Sequence, residues 1–171
     1  GYAGQLSLAQ YTIAGFGAFV AGRLVAVYDI PFLLGLVAGV SAAVPLGLLF
    51  ALPAVRTRGI NLAIVTLGLG TTMELMLFRN RSYTGGVRGT QVGNPDLFGY
   101  DISSIRYPER YGIFVLAMAV IAVWMVSNVR RGRSGRRLIA VRTNERAAAA
   151  LGIDVLRAKL FAFAFAAALA A

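Results

Sequence analysis

The chain alternates long apolar stretches with short polar punctuation. The stretches approach the roughly 20 residues that cross about 30 Å of hydrocarbon at about 1.5 Å per residue. Five spans are predicted, over about residues 6–28, 30–55, 60–78, 111–129 and 160–171, the last cut off inside an apolar run. Between them fall Tyr28-Asp29, the basic turn Arg56-Thr57-Arg58-Gly59, a long polar segment 79–110 and a basic segment 130–159. The expected fold class is all-α, a polytopic transmembrane helical bundle, with residues 1–171 forming part of one membrane domain. An opening at Gly1 without Met and an apolar close are read as signs of a longer protein.

Small residues set the expected packing. In the first span Ala14, Ala18 and Gly22 share one face, and in the second Gly35, Gly39, Ala43, Gly47 and Ala51 recur every four residues as a continuous smooth seam. Such seams let helix backbones approach closely in lipid. Pro45 removes a backbone hydrogen bond from the second span and is predicted to kink or loosen it. The third span is more polar, with Asn61, Thr66, Thr71, Thr72 and Glu74, the one acid inside any span. Polar groups at bilayer depth are costly unless they face protein or water. Glu74 is therefore either an interfacial carboxylate near Arg79 or Arg81 or a pathway residue.

Segment 79–110 is dense in turn residues, among them Thr84-Gly85-Gly86, Gly89, Gly93-Asn94-Pro95-Asp96, Gly99 and Pro108. It is predicted to be an ordered loop in which short alternating or amphipathic pieces sit. Segment 130–159 is predicted to hold two short helices: one capped by Ser134 and running through Arg142, the next capped by Asn144 with Glu145 at its positive end and stopped by Gly152. Asp154 then caps the last span.

Composition agrees with a membrane class: 58% of residues are hydrophobic, 14% are charged, and mean hydropathy is +0.70. A net charge of +10 would suit nucleic acid were it spread over a surface. Nine of the 17 cations instead fall in segment 130–159, as the positive-inside rule requires of a cytoplasmic loop. That choice makes 56–58 cytoplasmic as well, and puts Tyr28-Asp29 and segment 79–110 outside. The basic segment has two readings, a surface lying on anionic headgroups or a protein-docking unit, and its compact capped pattern favours docking.

With no Cys and no His, disulfides, imidazole bases and the common zinc ligands are absent from this sequence. No catalytic residue and no metal site are assigned. Lys159 lacks the upstream glycines of a phosphate-cradling loop, so no nucleotide cofactor is expected in this chain. What remains suits a gate and a docking surface. The rival classes are an ion-coupled secondary transporter of a small polar solute, which Glu74 and Pro45 permit, and an intramembrane enzyme, which lacks a base here.

Four strings carry a resemblance: Gly1-Tyr2-Ala3-Gly4-Gln5-Leu6-Ser7-Leu8-Ala9-Gln10; Arg56 to Leu69; Thr84-Gly85-Gly86 with Gly89; and Arg133 to Asp154. In this order they resemble the permease subunits of branched-chain amino-acid ABC importers, the LivM type more than the LivH type. The resemblance implies a multi-pass protein of the bacterial inner membrane that translocates branched-chain or other apolar amino acids. It implies as partners a second permease subunit, cytoplasmic ATP-binding subunits that hold ATP and Mg, and a periplasmic solute-binding protein. The coupling loop would then involve Arg142, Asn144, Glu145, Ala150 and Gly152. Substrate-pathway candidates are Gln5, Ser7, Gln10, Thr71, Thr72 and Glu74. In the third span the family pattern has an acid where this sequence has Thr71 and a basic residue near Glu74, which leaves urea and short amides open as substrates.

Overall fold

The computed structural model describes residues 9–56, 60–80, 95–97 and 100–171. Gln5, Ser7, the residues 57–59 of the basic turn, and Thr84-Gly85-Gly86 with Gly89 lie outside the described residues. The elements are α1 (Gln10–Tyr28), α2 (Phe32–Arg56), α3 (Ile60–Met73) continuing into a π-helical turn (Glu74–Phe78), β1 (Asp96–Leu97), β2 (Tyr100–Asp101), α4 (Pro108–Arg131), α5 (Arg133–Thr143), α6 (Glu145–Ala150) and α7 (Val155–Ala170). Among the described residues four stretches are long and apolar enough to cross a membrane: Gln10–Tyr28, Phe32–Pro53, Asn61–Phe78 and Pro108–Arg131. The fifth predicted span corresponds to α7, 16 residues long. The architecture is an all-α bundle of membrane-spanning helices.

Element boundaries follow local chemistry. Asp29 takes a left-handed backbone (φ 55°) at the end of α1, a conformation Asp tolerates better than most residues. Pro31 follows, so α2 starts at Phe32, two residues later than the pattern suggested. Helix α4 starts at Pro108, before the expected Tyr111, because proline at a helix start gives up an N–H that has no intrahelical partner there. Helix α7 begins at Val155, five residues ahead of Leu160, directly after the capping carboxylate of Asp154.

The core lies where α2 meets α1 on one side and α7 on the other. A side chain built at Gly39 would run into the carbonyl of Gly17 and the methyl of Ala21; at Gly35 it would meet Val25 and the Ala21 carbonyl; at Gly47 it would overlap Ala167 and approach the Phe163 carbonyl. The expected seam on α2 is therefore the packing surface, its first half against α1 and its second half against α7. Ala9, Ile13, Ala43, Leu46, Phe50 and Ala167 form the larger buried cluster, and Ala51, Leu62 and Phe163 a second. Helix α2 runs through Pro45 and Pro53 as one helix. Nearby, the Ser41 hydroxyl donates to the Val37 carbonyl at 2.8 Å.

The face of α1 that packs is not the predicted one. Ile13 and Gly17 are buried while Ala18 is exposed, so Ile13, Gly17 and Ala21 replace Ala14, Ala18 and Gly22 at the contact. Helix α1 carries small residues on neighbouring stripes, and the partner decides which stripe is used.

Contacts sort the connections to two ends of the bundle. Leu160 and Phe163 pack on Ala51 and Leu62, so the start of α7 lies at the end where α2 finishes and α3 begins. At the other end, the Phe32 and Phe114 rings meet edge-on at 5.9 Å, and β1 touches α2. There β1 and β2 form a small antiparallel hairpin pairing Asp96 with Asp101 and Leu97 with Tyr100. The Ile102 N–H donates to the Pro95 carbonyl at 2.9 Å, the Ser103 N–H to Asp101 Oδ1 at 2.8 Å, and Arg110 stacks over Tyr107 at 4.4 Å. Short alternating structure within segment 79–110 is thus present in its second half.

Candidate functional site

The basic segment folds into a compact unit of two short helices. Helix α5 begins at Arg133 with Gly132 as its extended N-cap and without a side-chain cap, which corrects the expectation that Ser134 caps it. Ser134 lies inside the first turn because Gly132 alone accomplishes the change of direction between α4 and α5. A side chain at Gly135 would overlap the carbonyls of Val129 and Arg130, so α5 rests directly on the last turn of α4. Leu138 and Val141 complete the buried face of α5.

Helix α6 has a defined start and stop. Asn144 Oδ1 accepts from the N–H groups of Arg146 (3.0 Å) and Ala147 (3.2 Å), satisfying donors that a helix start leaves unpaired. At the other end the Ile153 N–H donates to the Ala148 carbonyl at 3.0 Å and the Gly152 N–H to the Ala149 carbonyl at 2.9 Å. Gly152 has φ +78°, the left-handed residue of a Schellman stop. Asp154 Oδ1 accepts from the backbone N–H of Arg157 at 3.0 Å, and an ion pair at 3.1 Å joins the side chains of these two residues.

Exposure divides the coupling candidates into two groups. Arg142, Asn144, Ala150 and Gly152 are exposed, and Leu151 beside them is 80% exposed. Glu145 instead turns inward. Its carboxylate lies 3.0 Å from Lys159 Nζ, whose side chain is 3% exposed. Sequence reasoning missed this pair, since its members stand 14 positions apart on different helices. A signal was available: Lys159 is the single lysine among 17 cations, placed where a span begins.

The pathway candidates share α1 and α3. Gln10 opens α1. Helix α3 runs beside it, with Gly70 close to Thr12 and Phe78 close to Gly15 and edge-on to Phe19 at 6.3 Å. Thr71 and Thr72 are exposed and both donate to the Gly68 carbonyl, at 2.9 and 2.8 Å. Back-bonding of this kind satisfies a hydroxyl in lipid without a second helix. Glu74, also exposed, opens the π turn, and its carbonyl accepts from the Arg79 N–H at 3.0 Å. Among the described residues no hydrogen bond joins Gln10 to the threonines or to Glu74. The described residues also contain no cluster of acids suited to a metal ion.

Comparison with known proteins yields one family. The family profile described as "Branched-chain amino acid transport system / permease component" matches residues 1–171. The high-affinity branched-chain amino acid transport system permease proteins LivM of Escherichia coli and Salmonella typhimurium are each 33% identical to the chain, over 192 and 193 residues. These alignments cover 99% of this chain and 45% of each relative, so the chain spans less than half their length. No solved structure matches.

Proposed function

The chain belongs to the branched-chain amino acid transport permease family, and from that premise we propose that it is part of the membrane-spanning subunit of an ATP-driven importer. Its substrates are branched-chain or other apolar amino acids. A second permease subunit completes the pathway, separate cytoplasmic subunits bind ATP with Mg and hydrolyse it, and a periplasmic binding protein delivers the solute. The bacterial inner membrane is its location.

One observation carries the assignment beyond the family. The unit α5–α6 is capped at both ends of α6 and held at the basic end of the bundle, with Arg142, Ala150, Leu151 and Gly152 exposed. A short rigid helix with an apolar tip between arginines suits a groove on a protein partner better than a lipid surface, where a long apolar stripe is needed. Nucleotide-driven movement of such a partner would shift α5–α6 as a body, and α4 and α7 would carry that shift into the membrane. With Arg130 to Lys159 on the nucleotide side, the hairpin end faces the binding protein.

A second reading rests on Glu74. An exposed carboxylate at the start of a π turn suits ion coupling, because such turns often mark functional positions. Reconstitution of the full-length protein with its ATPase, second permease and binding protein in proteoliposomes decides between the two. Leucine uptake that requires ATP and survives ionophores supports the importer. Uptake that follows an ion gradient without ATP overturns it.

A further inference from the structure

The docking reading leaves one feature without a role: the chain's single lysine is shut inside, against the one carboxylate of α6. Burying an ion pair is a poor route to stability, since apolar residues of similar volume generally do as well. An ion pair differs from an apolar contact in being a directional link between two particular atoms.

Here the linked elements are α6 and α7. Only residues 151–154 connect them, and Gly152 sits in that connection with φ +78°. By chain connectivity alone α6 could pivot there. Lys159 Nζ and Glu145 Oε1, 3.0 Å apart, span the same junction from the far end of α6. Glu145 is the first residue of α6 and Gly152 follows its last turn. The helix is thus held at both ends. Beyond the junction, α7 lies along α2 through Phe163 and Ala167, against Ala51 and Gly47, and α2 in turn holds α1.

We infer that the Glu145–Lys159 pair is a strut that makes α6 and α7 one rigid body, so that displacement of the docking helix is delivered to the α2–α7 seam. This rests on the docking reading above and changes the part Glu145 plays in it. Its carboxylate positions α6, while the exposed residues around Leu151 meet the partner. Both residues are positioning residues, since neither touches solute or nucleotide.

The first test needs no change to the pair. The sequence has no cysteine, so spin labels at Arg146→Cys and Leu156→Cys in an otherwise cysteine-free full-length protein report the α6–α7 separation in the assembled transporter. A single narrow distance distribution, unchanged between nucleotide-free and ATP-trapped states, is expected. A distribution that shifts or splits with nucleotide overturns the strut.

The second test replaces the pair by a neutral one of similar shape, Glu145→Gln with Lys159→Met, which leaves no unpaired buried charge. ATPase association is expected to persist while leucine transported per ATP hydrolysed falls at least about fivefold, the lower end of usual coupling effects. The reversed pair, Glu145→Lys with Lys159→Glu, should recover part of that loss. A neutral pair that transports as much per ATP as the parent overturns the inference, as does one that merely lowers the amount of assembled complex. Failure of the docking reading looks different: Leu151→Asp would then leave ATPase association intact.

Discussion

Helices α2 and α4 are nearly equal in length, at 25 and 24 residues, and both are apolar enough to span a membrane. Yet α2 buries Gly35, Gly39, Ala43, Leu46, Gly47, Phe50 and Ala51, whereas α4 buries none of its residues. The difference lies in the spacing of small residues. In α2 a Gly or Ala returns every fourth position from Gly35 to Ala51, whereas in α4 no two of Gly112, Ala117, Ala119 and Ala122 stand four residues apart, so they form no continuous seam. Lipid chains are as apolar as leucine, so hydrophobicity places both helices in the membrane and chooses neighbours for neither. Close backbone approach chooses, and α2 alone of the two is built for it.

That contrast predicts its largest effect at the seam. Gly47→Leu, or Gly39→Leu, drives a side chain against an opposing backbone and should cost about 3 kcal/mol or more, the upper part of the overpacking range. Thermal unfolding of the full-length protein in detergent reads this as a lowered midpoint. Helix α6 lies between the extremes, since caps hold it and no seam does. Asn144→Ala should cost about 1 kcal/mol, seen as roughly fivefold faster hydrogen exchange at the amides of Arg146 and Ala147. Gly152→Ala should cost a similar amount, about 1 kcal/mol, because alanine is strained at positive φ.

Smaller effects are expected on α4. Trp124, 64% exposed, should be quenched by bromine-labelled lipid chains when it is the sole tryptophan of the full-length protein. Quenching that declines on addition of the proposed second permease subunit would give α4 a protein neighbour; unchanged quenching leaves it facing lipid. Gly112→Leu should change the unfolding free energy by less than about 0.5 kcal/mol, since no described residue lies within 4 Å of a Cβ placed there. A loss at Gly112 equal to that at Gly47 would erase the distinction between the two helices.

How much could be read from the sequence follows from how local each feature is. The α2 seam, the Asn144 and Asp154 caps and the Gly152 stop were legible because each depends on residues within one helix or turn. The packed stripe of α1 was misplaced because α1 offers adjacent small-residue stripes, and only the α2 surface picks Gly17 over Ala18. Ser134 misled because a good capping residue two positions after Gly132 need not cap when the glycine already bends the chain. The lone lysine at the start of a span marked Lys159 as unusual, but its pairing with Glu145 was not legible, being fixed by the way α7 folds back along α2. Among the pathway candidates, sequence gave the polar residues of α3 but not that Thr71 and Thr72 both bond inward to Gly68.

The seclusion of Lys159 gives this stretch of the protein a chemical signature. Sixteen of its 17 basic side chains are arginines, so amine-acylating reagents find one side-chain target in this sequence, and that target is 2% exposed. Its rate of acylation therefore records how often the junction beneath it opens, and it offers a clock for that event without any engineered label.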